Sequence, residues 1–181
     1  MARPPTQLRE TILDAALALL RTKGERAMTQ TGVAAAAGIP QGHLTYYFPK
    51  KRDLVVGVAE RFAEVTSEQA RAFFAERAGQ PMREVLTAYV KRLIADRERT
   101  RMLLGLVVMS DREPALGAIL QHNARLLRAM LGHTFGRSPD DPLNDLLLAM
   151  LWGLGIHGFV LQEERSDQLL EEVLRRFDTP S

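Results

Sequence analysis

Apolar residues recur every three or four positions along almost the whole chain, and no segment alternates apolar with polar residues as a half-buried strand does. That pattern confines the chain to an all-α fold. Gly, Pro and Ser-Asp punctuation cuts it into about nine helices. The first is expected from Thr6, a hydroxyl at the cap position, to Lys23, with Leu8, Ile12, Ala15, Ala16 and Leu19 on one stripe. Two short helices follow, from about Thr29 to Ala37 and from about Pro40 to Pro49, and a long one runs from Lys51 to about Arg77. The rest are expected over Met82–Asp96, Arg101–Met109, Ala115–Phe135, Pro142–Leu161 and Asp167–Phe177. The division that follows is a compact three-helix domain over residues 1–52 and a larger helical domain over residues 53–181.

Apolar residues make up 46% of the 181, enough for a core in each domain. The absence of cysteine excludes disulfides, thiolate zinc sites and Cys nucleophiles, and favours a reducing compartment. The opening MARPPTQLRE has no apolar stretch of the kind a signal peptide carries, so a cytoplasmic protein is expected. The longest apolar run, Leu146 to Ile156, is short of the roughly 20 residues a membrane span needs. It reads as a helix buried on nearly every side, and no membrane partner is expected. Charge is uneven: residues 1–55 hold eight Lys/Arg against four Asp/Glu, and residues 56–181 sixteen against eighteen. A basic first third suits a polyanionic partner, or is a solvated face with a chance excess.

The segment AAAAGIPQGHLTYYFPKKR, from Ala34 to Arg52, joins two short helices through a turn containing Gly38, which is the spacing of a helix-turn-helix. Leu44 and Phe48 are four apart and share an inward face, covered by Ile39. Gly42, His43 and Tyr46 then point the opposite way, with Thr45 and Tyr47 at the sides. That surface suits a groove of duplex DNA. Gly42 allows close approach, and His43 and Tyr46 offer polar edges to bases. Thr45, Tyr47 and the run Lys50, Lys51 and Arg52 can reach phosphates, and Thr29 places a hydroxyl and free N–H groups at a helix start. Thr31 and Gln41 complete the set expected at DNA. The alternative is a helical hairpin with a decorated surface.

The stretch MTQTGVAAAAGIPQGHLTYYFPKKRDLV resembles the DNA-binding segment of TetR-type transcriptional regulators. Thr29, Val33, Ala34, Gly38, Ile39, Gly42, Leu44, Tyr46, Phe48, Lys51 and Leu54 fit its pattern, and a weaker match reaches back through Ile12, Ala15, Ala16 and Gly24. Three positions depart from it. Pro40 stands where Ser is usual, Thr45 where the family usually has a phosphate-binding Tyr, and Tyr47 where His is common. The resemblance implies a homodimer on a palindromic operator, released when an unknown small-molecule effector binds the larger domain. The regulator would be a repressor, with Lys51 at the start of the helix that moves.

In the larger domain, Leu169, Leu170, Val173, Leu174 and Phe177 form an apolar stripe, and the preceding helix carries Leu151 with Gly153, Gly155 and Gly158. Leu151, Gly155, Gly158, Leu170, Val173, Leu174 and Phe177 are therefore expected at a subunit interface of four helices, or else in the domain's own core. Tyr89, Met102, Met109, His122, Trp152 and His157 are polar, aromatic or adaptable residues within apolar helices, candidates to line an effector cavity or simply core residues. The four histidines form no metal-binding pair and no nucleophile has a recognisable setting, so neither catalysis, cofactor nor metal is expected. Two other readings are open: a small-molecule binding protein or bundle enzyme with a vestigial helix-turn-helix, and a nucleoid-type DNA binder with little sequence preference.

Overall fold

A computed structural model describes the backbone of residues 5–161 and 166–177 and the side chains of residues 7–161 and 168–176. The expected Thr6 cap and the Phe177 side chain lie outside those residues. Nine α-helices and no strand occur among the described residues: α1 (Pro5–Lys23), α2 (Gln30–Ala37), α3 (Gln41–Tyr47), α4 (Lys51–Ala75), α5 (Met82–Ala95), α6 (Arg97–Ser110), α7 (Pro114–Thr134), α8 (Pro142–Leu161) and α9 (Ser166–Phe177). A 3-10 turn, Glu25–Ala27, links α1 to α2.

Most boundaries fall where the caps predict. Thr29 caps α2, its side chain accepting from the Gly32 N–H at 3.0 Å. Gly38 ends α2 in the left-handed region (φ 66°), and the Ile39 N–H returns to the Ala34 carbonyl at 3.0 Å, satisfying a terminal carbonyl. Two starts differ. Pro40 is the cap residue of α3 rather than part of its first turn. Helix α6 begins at Arg97, four residues before the expected Arg101, because the Asp96 carboxylate accepts from the Arg99 N–H at 2.8 Å and caps it there.

The chain forms two compact units, and they do not follow the expected cut after residue 52. The first unit comprises the described residues up to Ser67 together with Arg101–Gln121. The second comprises Glu68–Thr100 and the described residues from His122 onward. In the first unit Ile12, Ala16, Leu20, Met28, Val33, Leu44, Leu54, Val58, Leu106 and Leu116 are fully buried in one cluster. Helix α6 is held there at its polar side as well. Arg101 donates to the Arg21 carbonyl at 2.8 Å, covering the end of α1 where carbonyls lack helical partners.

The second unit packs α5, α8 and α9 around Leu86, Val90, Ile94, Leu131, Leu147, Leu148, Leu151, Leu154, Leu170 and Leu174. Lys91 on α5 meets Glu171 on α9 at 2.8 Å. Phe73, Val85 and Tyr89 form a smaller cluster. Helix α8 is long and apolar enough to cross a membrane by length and composition alone. It is not buried on nearly every side, as its sequence suggests. Leu147, Leu148, Leu151, Leu154 and Gly155 face the unit's core, while Leu146, Met150, Trp152, Ile156, Val160 and Leu161 are exposed.

Candidate nucleic-acid interface

Helix α3 has only seven residues, too short to hold itself together in water, so its pose depends on its neighbours. Leu44 is fully buried and Phe48 nearly so, both within the first unit's core, as their spacing predicts. This sets the opposite face outward. Gln41, Gly42 and His43 are exposed, and Tyr46 is 80% exposed, an unusual degree for a residue with so large an apolar ring. Nothing lies within 4 Å of where a Cβ on Gly42 would sit, so the backbone is open on that side. Tyr47 is half-buried against the core, with its ring edge-on to Tyr46 at 5.2 Å.

Beside this face stand the start of α2 and the start of α4. Thr29, Thr31, Lys50, Lys51 and Arg52 are all exposed. The Asp53 carboxylate accepts from the Lys50 N–H at 3.0 Å, fixing the first turn of α4. Two of the residues expected at DNA bond each other: the Thr31 hydroxyl donates to Gln41 Oε1 at 3.3 Å. The Thr45 hydroxyl donates to the Gly42 carbonyl at 3.0 Å, so its proton is engaged within α3 rather than offered outward.

Two residues that hold this arrangement were not singled out by their sequence. Gln30, first in α2, donates from Nε2 to the Phe48 carbonyl at 2.8 Å and the Pro49 carbonyl at 3.4 Å. Gly32 lies so close to its surroundings that an added Cβ would sit 2.7 Å from the Ala27 carbonyl oxygen and 3.0 Å from Thr29 Oγ1. An exposed helical Gly→Ala change normally stabilises by roughly 1 kcal/mol. Here the clash with backbone reverses the sign. Gly32→Ala is expected to lower stability by about 1–3 kcal/mol, measured as an earlier midpoint in urea. A variant more stable than wild type would contradict this packing.

The residues expected to line an effector cavity are divided between the two units. Met102 and Met109 are buried in the core of the first unit. The others belong to the second. Tyr89 is buried there, its ring tilted against those of Phe73 and Phe74 with centroids 5.3 Å away, and burial raises its phenol above the ordinary tyrosine range, partly offset by Arg99 and Arg92. His122, Trp152 and His157 are exposed. Two of the six thus belong to the first unit and four to the second. A groove of about 520 Å³ lies in the first unit, lined by Arg9, Tyr47, Phe48, Asp53, Gly57 and Glu113 among others. Of the expected interface residues, Leu151, Gly155, Leu170 and Leu174 are buried in the second unit's own core, Val173 packs half-buried against it, and Gly158 is half-buried. The reason is that α5 and α9 cover this half of α8.

Residues 12–58, which hold α2, α3 and their turn, match the family described as bacterial regulatory proteins, tetR family. Over 107 residues the chain is 30% identical to the HTH-type transcriptional regulator CymR of Pseudomonas putida, covering 58% of this chain and 52% of that protein. It thus spans about half the length of the curated relative it matches. Among solved structures it resembles the multidrug binding protein EbrR complexed with imidazole, with 25% identity, TM-score 0.73, and coverage of 99% of this chain and 98% of that one. A similar likeness, 26% identity and TM-score 0.73 over 96% of this chain and 99% of that one, holds for a putative transcriptional regulator from Streptomyces coelicolor A3(2). The stretch that matches the tetR family thus contains the outward-facing α3, and the chain's fold resembles that of EbrR along nearly its whole length.

Proposed function

We propose that this chain is a DNA-binding transcriptional regulator that sits on a palindromic operator as a homodimer and leaves it when a small molecule binds. The observation that carries this reading is the outward face of α3. Gly42, His43 and Tyr46 stand clear of the protein while Leu44 and Phe48 anchor the helix from behind. A major groove admits such a helix, and base edges are read there by side chains of this reach. Thr29, Tyr47, Lys50 and Lys51 supply phosphate contacts on either side, which position without specifying. One helix of this size reads few base pairs. Two copies about 34–36 Å apart read successive major grooves of a palindrome.

The effector acts by holding the form that does not bind DNA, and only its difference in affinity between the two forms shifts the equilibrium. Helix α4 is continuous from Lys51, at the phosphate-facing turn, to Ala75 in the second unit, and is the element we assign to carry that signal. Tyr89, His122, Trp152 and His157 are the effector candidates in the second unit. The reading places the protein in the cytoplasm and assigns it no catalytic step and no membrane. The test is selection from a pool of random duplexes. A palindromic consensus should emerge, bound with a strong dependence on salt. Recovery of no sequence preference at any salt concentration sinks the reading.

A further inference from the structure

The hydrogen bonds around α3 show how a seven-residue helix is kept at one angle. Leu44 and Phe48, with Tyr47 half-buried beside them, fix which side faces inward, but apolar contacts along one face of so short a helix constrain its roll more than its tilt. The two ends are tied by adjacent residues of α2. Thr31 meets Gln41 at the start of α3, at 3.3 Å and in the open, where water competes. Gln30 meets the carbonyls of Phe48 and Pro49 at the far end, at 2.8 and 3.4 Å, and the first of these bonds is partly buried. The residues it fastens form the turn from α3 into α4, with Tyr47 just before it and Lys50 and Lys51 just after.

We propose that Gln30 is a positioning residue for DNA reading: its side-chain amide, by holding the Phe48–Pro49 turn against the start of α2, sets the tilt at which α3 presents His43 and Tyr46. This rests on the DNA-binding reading above. Gln30 need not touch DNA. Its role needs a donor at that reach, which methionine and glutamate match in length but do not supply. Phosphate contacts tolerate a small tilt because they are long and charge-based. Base contacts do not, since hydrogen bonds weaken steeply with misalignment. Loss of the donor therefore costs discrimination rather than overall affinity.

The experiment compares full-length wild type, Gln30→Met and Gln30→Glu on two probes: the duplex selected by wild type and an unrelated duplex of equal length. Fluorescence anisotropy gives both affinities across a salt series, and amide exchange is followed in the free protein. For both variants the selected duplex is expected to bind about tenfold more weakly. The wild-type salt slope should persist for Gln30→Met, and its unrelated duplex should bind within about twofold of wild type. Exchange should quicken over residues 44–54 and stay unchanged in the core of α1. Equal discrimination by wild type and Gln30→Met overturns the proposal. So does retention by Gln30→Glu alone, because the donor is then irrelevant. A parallel fall on both probes with faster exchange throughout also overturns it, since Gln30 is then only part of the fold's stability. If wild type itself selects no duplex, the DNA-binding reading fails and Gln30's role fails with it.

Discussion

Replacing His43 and Tyr46 together by alanine is expected to weaken binding to the selected palindrome by between roughly 30-fold and 20,000-fold, at about 1–3 kcal/mol for each lost base contact. Binding to unrelated DNA should change by no more than about twofold, because that affinity comes from phosphates. The protein should fold as well as wild type. Both side chains project into solvent, and the anchors Leu44 and Phe48 are untouched. Surface changes of this kind are usually within about 0.5 kcal/mol, with the edge-on contact of Tyr46 on Tyr47 the one packing interaction lost. Lys51→Gln is the natural contrast. It should weaken both kinds of DNA alike and reduce the salt slope by about one. If the double variant behaved like Lys51→Gln, α3 would be a cationic handle and not a reader. Anisotropy with both duplexes at two salt concentrations separates the outcomes.

That face was legible from sequence because local rules fix it. Leu44 and Phe48 lie one helical turn apart, Gly38 supplies the left-handed exit, and Thr29 supplies the cap, so the orientation of α3 follows without knowledge of the rest of the chain. What was not legible depends on distant partners. A glutamine at the first position of a helix carries no signature, and Gln30 acquires its role only when residues 48 and 49 arrive beside it. Met102, Leu106 and Met109 have the spacing of a core-facing helix, but nothing local says that they join the core of α1 and α2. Hence the domain cut expected after residue 52 overlooks the return of α6 to the first unit. Helix α8 shows the limit most plainly. A helix apolar on all sides has no preferred direction in its pattern, so sequence cannot say which half meets its own core. Covering of Leu151, Leu154 and Gly155 by the rest of the unit decides it, and the bare half carries Leu146, Met150, Ile156 and Val160.

On that bare half the second large effect is expected. Met150→Glu with Ile156→Glu should convert the proposed dimer to monomer at micromolar concentration and abolish tight binding to the palindrome. Gly153 lies midway between these two residues, and nothing stands within 4 Å of where its Cβ would be. A two-fold crossing of α8 on α8 at Gly153 lets the backbones approach and sets Met150 against Ile156 and Leu146 against Val160, each pair equally spaced about the centre. Burying such side chains is worth about 1.5–3 kcal/mol each, and in a symmetric interface every substitution counts twice. Glutamates there also place unpaired carboxylates in an apolar seam. A loss of well over a thousandfold in dimer affinity follows, while the monomer's stability holds because both positions are exposed. Leu151→Ala separates this face from the covered one. Its side chain belongs to the second unit's core, so it should cost about 2–5 kcal/mol of folding stability. Sedimentation alongside urea unfolding tells the two apart: a double variant that stays dimeric, or that dissociates only because it unfolds, rules out the bare half of α8 as the seam between copies.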